Sequence, residues 1–382
     1  MIDILLIVSN NIESGGVEAY LMNVLTHINR DDLNIDILVP GEIVSQEIAS
    51  KFRRIGCNII EAHLNIGSFK GNFELSKTIG RLLDEKFYDV VHVNTANLRV
   101  EVIGLHQAKI HQVSLRIAHS HGTLIEGYFV KETVRNVLRK MIFSSATDFL
   151  ACSSSAAEAL VGKKHSSMIK IVRNGINAVD YKFNIRKREN IRREYGWSDR
   201  FVIGFIARIS PEKNHLFFLN VLQEIVKQDN TVLLVVVGTG NKEYVNQLRD
   251  KVRHLNLENN SQFLGEKSNI SELVQGMDIH VLPSKREALG IVNIEAQASG
   301  MRCICSDRVP KEADVTGLID FIPLEADIDF WARKILEYRC GYERMDTTDK
   351  IIESGYDITS SSRVLDHIYN SALNNRGGYL IN

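Results

Sequence analysis

Glu287 and Glu295 stand in the stretch 283–300, Pro-Ser-Lys-Arg-Glu-Ala-Leu-Gly-Ile-Val-Asn-Ile-Glu-Ala-Gln-Ala-Ser-Gly, with seven residues between them. The spacing of Ile291, Ile294 and Ala298 predicts a helix that starts near Leu289, with Gly290 relaxing the backbone at its mouth. On that geometry Glu287 lies in the loop ahead of the helix and Glu295 about one turn inside it. A helix N-terminus carries N–H groups without intrahelical acceptors and a partial positive charge, so it suits a phosphate. Ionised carboxylates only accept hydrogen bonds, and two of them beside a phosphate would serve sugar hydroxyls. The segment Gly-Phe-Ile-Ala-Arg-Ile-Ser-Pro-Glu-Lys-Asn at 204–214 adds Arg208 and Lys213 in a strand-to-helix loop. Either they clamp a diphosphate, Arg through paired donors and Lys as a compact charge, or they are solvated loop charges.

Other candidates carry less. Gly238-Thr239-Gly240 follows a strand and reads as a turn, and Gly265-Glu266-Lys267 either turns the chain or borders a nucleobase. Gly15-Gly16, ahead of a predicted helix, brings backbone amides toward a phosphate or acceptor, or only makes a tight turn. His119-Ser120-His121-Gly122 closes a strand; His121 is expected as a polar strand-end contact and His119 as structural. No ligand set with metal spacing accompanies the two histidines, and Asp327-Ile328-Asp329, beside Trp331 and Ile335, reads as a solvated helix start.

These residues need a scaffold, and the chain supplies an α/β one. Short β-branched runs alternate with longer helical patterns, as in parallel sheets covered by helices. Strands are predicted at 2–8, 34–39, 90–93, 114–118, 149–152, 169–172, 201–206, 232–237, 262–264, 279–282 and 302–306, with helices between them such as 17–28, 216–228 and 241–255. With 382 residues and 44% hydrophobic content, two cores of ordinary size are expected. The pattern breaks at 174–197, so the domains are expected to span 1–178 and 179–358. Ligands of such sheets bind beyond the C-terminal strand ends, which places a site in the cleft between two domains.

A net charge of −1 argues against a nucleic-acid partner. Five scattered cysteines without a Cys-x-x-Cys pair fit a reducing cytoplasm. Met1–Ser9 contains Asp3 and lacks a basic flank, so it reads as a first strand and not as a signal peptide; the longest aliphatic run, Val232–Val237, is too short to span a bilayer. At 130–142, Val130, Val134, Val137, Leu138, Met141 and Ile142 form a helical stripe beside Lys131, Arg135 and Arg139. That helix either rests on an anionic membrane surface or turns its stripe to the core with a solvated basic flank.

Taken in order, Gly15-Gly16-Val17-Glu18, Asp89-Val90-Val91-His92-Val93, His121-Gly122, Ser153-Ser154-Ser155, Asn174-Gly175-Ile176, Arg208 with Lys213, and Glu287 with Glu295 resemble the retaining glycosyltransferases of family 4. Ile294 to Gly300 resembles members that build exopolysaccharide or capsule. The resemblance implies the GT-B fold, two Rossmann-like domains with parallel sheets facing an interdomain cleft, and a final helix within 359–382 that crosses back to the first domain. It implies that Arg208 and Lys213 bind the donor diphosphate, Glu295 the ribose hydroxyls and Glu287 the transferred sugar. Backbone amides of Leu289, Gly290, Ile291 and Val292 would complete that grip, His121 would approach the sugar, and Gly16 would let the first loop close on the phosphate. No cofactor or metal is implied beyond the nucleotide diphosphate sugar. Departures are Ala288 for the usual Gly, Leu289 for a frequent aromatic, Arg173 for a common Pro and Asn94 for a frequent His. The expected activity is transfer of a hexose, from UDP, to a lipid-linked oligosaccharide in the cytoplasm, at the inner face of the membrane if 130–142 makes that contact. Alternatives are a small-molecule acceptor, a nucleotide-sugar epimerase, or a silent sugar-nucleotide binding subunit.

Overall fold

Residues 4–8, 201–206 and 232–237 read as apolar runs without polar alternation, and such strands must be covered on both faces. A computed structural model describes residues 1–12, 16–122 and 132–376, which form two compact units. One unit comprises Met1–Gly175 with Ile358–Asn382, the other Ile176–Asp357. In the first, β1 (Ile2–Val8), β2 (Leu33–Val39), β3 (Asn58–Glu61), β4 (Val90–Thr95), β5 (Leu115–Ser120), β6 (Asp148–Ala151) and β7 (Lys170–Ile171) make one sheet in the order β3-β2-β1-β4-β5-β6-β7. In the second, β8 (Phe201–Ile206), β9 (Val232–Val237), β10 (Ser261–Gly265), β11 (Ile279–Leu282), β12 (Arg302–Ser306) and β13 (Ile319–Ile322) run β10-β9-β8-β11-β12-β13. Every pairing is parallel.

Each order reverses once, between β1 and β4 and between β8 and β11. At such a switch point the loops leaving two neighbouring strands go to opposite faces and open a crevice at the C-terminal ends. In the second unit the β8 loop carries Arg208 and Lys213 and the β11 loop carries Glu287, so the two strongest sequence motifs share one crevice edge. The core of this unit packs the buried β8, β9, β11 and β12 residues against Phe218, Leu222, Ile294 and Trp331. Asp327 caps the helix Ile328–Leu336, its carboxylate accepting from the Phe330 N–H at 2.7 Å.

The helix Ile358–Arg376 belongs to the first unit, where Leu365, Tyr369 and Ala372 pack in one core with Ile2, Ile4 and Tyr20; of the expected terminal segment 359–382, residues 377–382 lie outside the described ones. Val130 and Lys131 also lie outside them, and the helix runs from Glu132 to Ser145. Its basic residues depart from expectation. Arg135 pairs with Glu132, and Arg139 is buried, bonding Glu132 and the Ala159 carbonyl, while Val134, Val137 and Met141 face solvent. The basic flank is therefore turned inward, because a long Arg stem packs on apolar surface once its head group is bonded, and the apolar stripe is split, with Ile142 buried and Leu138 packed on the core of the unit.

Candidate active site

The loop after β8 is held by its neighbour. The Ala207 N–H donates to the Val237 carbonyl at 3.0 Å and the Ile209 N–H to the Thr239 carbonyl at 2.7 Å, which extends the β8–β9 ladder past both strands. That extension accounts for Gly238 and Gly240. A Cβ on Gly238 would lie 2.1 Å from the Ala207 carbonyl oxygen, and one on Gly240 would lie 1.9 Å from that of Ile209. The motif read as a turn is thus a close backbone approach that fixes the segment around Arg208. Arg208 itself is exposed. The 3-10 turn Pro211–Lys213 follows, and its Glu212 carbonyl accepts from the Lys285 N–H at 2.7 Å, tying the β8 loop to the β11 loop. The Glu212 carboxyl is held below its usual value by a backbone hydrogen bond and the Ser210 hydroxyl, with smaller help from Arg208 and Arg286.

Across that tie Lys213 donates from Nζ to Glu287 Oε1, which also accepts from the Ser284 hydroxyl at 3.0 Å. The side chains are 20% and 7% exposed, so this pair is largely removed from water. Leu289 anchors the loop in the core, and Gly290, at φ +77, turns it into the helix Ile291–Ala298. A Cβ on Gly290 would approach the Asn293 amide nitrogen to 2.9 Å. No side chain caps this helix, and Ile291 and Val292 hold its first two positions, where N–H groups have no intrahelical acceptor. Glu295, one turn on, keeps some surface accessible, yet protein encloses it enough that burial raises its carboxyl to about 7. The Tyr181 hydroxyl donates to it and pulls the other way. Tyr181 sits on the helix Ala178–Tyr181, whose end is held by the Gln275 amide donating to the Tyr181 carbonyl at 3.0 Å. Tyr181 could not be marked as a partner of Glu295 from the sequence, since no local pattern links residues that far apart, whereas Ser284 lies inside the motif, three residues before Glu287.

In the first unit, His121 follows β5 directly and its Nε2 lies 3.3 Å from Asn94 Oδ1. Burial lowers its imidazole to about 3, against a hydrogen bond to the Asn174 side chain, so it is neutral at pH 7. Asn94, a departure from the usual residue, thus supports His121 directly. His119 is fully buried, with Nδ1 3.1 Å from His92 Nε2, and His92 Nδ1 is 2.7 Å from the Tyr369 hydroxyl of the terminal helix. A Cβ on Gly16 would meet nothing within 4 Å, so the space there is open, and Gly15 lies outside the described residues.

The expected site residues of the second unit therefore come together as a group: Lys213 in contact with Glu287, the four residues Leu289 to Val292 continuing from it, Glu295 one turn beyond, and Arg208 on the adjoining loop. Gly16 and His121 belong to the other unit. Among the described residues no group of three His, Cys, Asp or Glu is placed to hold a metal ion, and no helix is long and apolar enough to cross a membrane.

Comparison with known proteins gives the family of both halves of the chain. Residues 187–334 match the family of glycosyl transferases group 1, and residues 14–179 match glycosyltransferase family 4. The chain is 27% identical over 384 aligned positions to a putative glycosyltransferase, EpsF, of Bacillus subtilis, with 95% of each chain covered. It is 24% identical to the UDP-Gal:alpha-D-GlcNAc-diphosphoundecaprenol alpha-1,3-galactosyltransferase of Escherichia coli, covering 59% of this chain and 60% of that one. Its fold is that of HepE from Anabaena, solved in complex with UDP and glucose, at a TM-score of 0.71 and 17% identity over 98% of this chain and 99% of the other.

Proposed function

The chain belongs to the glycosyltransferases, with a family 4 first half and a group 1 second half on a GT-B fold, and we propose that it moves a hexose from a UDP-sugar to a hydroxyl of a lipid-linked oligosaccharide in exopolysaccharide or capsule synthesis, with retention of configuration. The observation that supports this best is the Lys213–Glu287 contact at the β8–β11 switch point, next to a helix start without a side-chain cap. Lys213 and Arg208 stabilise the charge that develops on the departing diphosphate, where fixed cations help most. Glu287 accepts from hydroxyls of the sugar, amides of Leu289 to Val292 hold sugar and phosphate, and Glu295 accepts from the ribose. On the first unit, His121 offers a neutral imidazole to the sugar and Gly16 leaves room for the phosphate. Relatives named for a UDP-galactose donor with a diphosphoundecaprenol acceptor, and for capsular polysaccharide, support the choice of donor and acceptor class.

In the front-side route the bond from the anomeric carbon to the phosphate oxygen breaks, the acceptor oxygen bonds the same face, and the acceptor proton passes to the departing phosphate. UDP leaves, and no metal takes part. The test is incubation with labelled UDP-hexoses and a prenyl-diphosphate-linked acceptor in EDTA, followed by NMR of the product. An α-linked product from an α-donor that forms only with acceptor supports the reading. An inverted linkage, a requirement for divalent metal, or an isomerised donor without acceptor sinks it.

A pH dependence follows from Glu295. Its carboxyl ionises at about 7, well above its usual value, so it is a full acceptor only above that pH, and below it the ribose loses that acceptor. UDP binding should therefore weaken from pH 8 to 6, by up to about tenfold if one charge-assisted bond is lost. Calorimetric titrations across that range should show the slope in the wild type and a flatter profile in Glu295→Gln. For folding the sign is opposite: ionising a carboxyl whose value is raised costs stability as pH rises from the ordinary Glu range through 7.

The helix 132–145 is proposed as a peripheral membrane contact through exposed Val134, Val137 and Met141, with Lys140 as the exposed cation beside them. Replacing Val137 and Met141 by Asp should at least halve cosedimentation with anionic vesicles, and unchanged cosedimentation would remove this helix from the contact.

A further inference from the structure

At the opposite end of the second sheet lies a cavity of about 730 Å³, beside Phe201 at the start of β8 and Asp278 just before β11. Five arginines line it: Arg200 is engaged by the carbonyls of Thr231, Val232 and Asn259 and Arg339 by Asp229, while Arg188, Arg192 and Arg344 gather around Asp278 and the neighbouring helix end. Arg188 and Arg192 share the single carboxylate of Asp278, Arg192 at 3.1 Å, and Asp278 also accepts from the Val202 N–H at 2.7 Å. Arg344 stacks 4.8 Å from the Phe183 ring centroid and donates to the carbonyls of Val274, at 3.2 Å, and Met277. The other carboxylates on the cavity wall, Asp199 and Glu343, are exposed to solvent.

The arginine contacts have a structural purpose, since Arg188, Arg192 and Arg344 together cover the carbonyls at the end of the helix Ile270–Gly276. That purpose does not balance their charge. Three cations face one inner carboxylate that already serves a backbone amide, and the nearness of Arg188 adds to the burial that disfavours the charged form of Arg344. Each guanidinium has five N–H donors in a planar fork; Arg192 spends four on Asp278 and the carbonyls of Gly276, Ser198 and Arg200, while Arg188 and Arg344 keep donors beyond their bonds to carbonyls and Asp278. A cavity of this size, with aromatic walls and a surplus of Arg, fits a ligand that is small and bears phosphate.

From this arrangement we infer that the cavity is a second anion site, which takes a small phosphate-bearing molecule on Arg188, Arg192 and Arg344, separate from the donor crevice. The strand β8 separates the two, roughly 20 Å end to end at about 3.3 Å per residue. Free phosphate and phosphate esters share the chemistry, and the experiment distinguishes them.

Cys340 supplies the readout, because it lies on the cavity wall and is exposed whereas Cys57, Cys152, Cys303 and Cys305 are buried. The rate of its alkylation by N-ethylmaleimide, an uncharged reagent, is followed in the full chain at constant ionic strength, with inorganic phosphate, glucose 1-phosphate or AMP added, in the wild type and in Lys213→Ala, whose change lies in the donor crevice. Phosphate should slow alkylation saturably, by about fivefold or more, and equally in both proteins. Arg188→Gln should raise the half-protecting concentration about fivefold, and Glu343→Gln, an exposed change that leaves the fold alone, should lower it about threefold. Protection at lower concentration by either ester identifies an ester as the ligand, and stronger protection by inorganic phosphate identifies the free anion. Protection no greater than chloride gives, protection lost in Lys213→Ala, or half-protection unmoved in Glu343→Gln overturns the site.

Discussion

Lys213→Ala should lower kcat/KM about 10²- to 10³-fold, the loss expected when one fixed charge facing the leaving group is removed. It should also destabilise the fold, because Glu287, 7% exposed, would keep only the Ser284 hydroxyl and lose its cation. A buried carboxylate stripped of its partner costs on the order of 1–3 kcal/mol. The two effects separate in the double variant Lys213→Ala/Glu287→Gln. A neutral amide needs no cation, so the stability loss should be largely restored, by about 1 kcal/mol or more of coupling, while turnover stays low. Urea denaturation and steady-state kinetics on the single and double variants measure both. If activity returns together with stability, Lys213 acts only as a structural partner of Glu287.

Gly240→Ala should be among the most damaging single methyls in the second unit. Its Cβ would stand 1.9 Å from the Ile209 carbonyl oxygen and 2.9 Å from its Cβ, and the oxygen, a backbone atom, cannot rotate away. The loop must move, which breaks the Ile209 N–H bond to the Thr239 carbonyl and releases the segment that carries Arg208. A stability loss of about 2–4 kcal/mol is expected from the strain and the lost ladder bond. UDP affinity should fall about tenfold or more through the displaced guanidinium. Gly16→Ala is the control. Nothing lies within 4 Å of its Cβ, and it begins a helix, so stability should stay within about 0.5 kcal/mol of wild type. Urea midpoints and UDP titrations on both variants test this. An unperturbed Gly240→Ala would mean that the loop has room the structure denies it.

The local signals in this chain were legible where a residue's neighbours in sequence are also its neighbours in space. β1, β8, β9, β11 and β12 span the residues expected of them, since a strand covered on both faces is dominated by a short apolar run that marks its place. β3 and β13 escaped the sequence reading. Asn58-Ile-Ile-Glu61 and Ile319-Asp-Phe-Ile322 are short edge strands with polar residues, half-covered, and only their partners in the sheet make them strands. The same limit applies to the site. Glu287, Glu295, Gly290 and Lys213 lie in two short motifs whose residue types already suggest phosphate and hydroxyl chemistry. The partners that set their properties lie far away in sequence: Tyr181 against Glu295, and Ile209 behind Gly240. The helix 132–145 shows a further limit, in which periodicity found the apolar stripe but not its division: Leu138 and Ile142 meet the core, Val134, Val137 and Met141 meet water, and the bonded Arg139 is buried.

The central claim is that a nucleoside diphosphate sits on Lys213 and Glu295 in the second unit, and calorimetric titration of UDP and of uridine into wild type and Lys213→Ala tests it most directly. UDP should bind wild type and lose about tenfold or more in the variant, a difference of about 1.4 kcal/mol, while uridine, which lacks the diphosphate, should bind both alike. Equal UDP affinity in the two proteins, or no binding of UDP to wild type, would contradict the account.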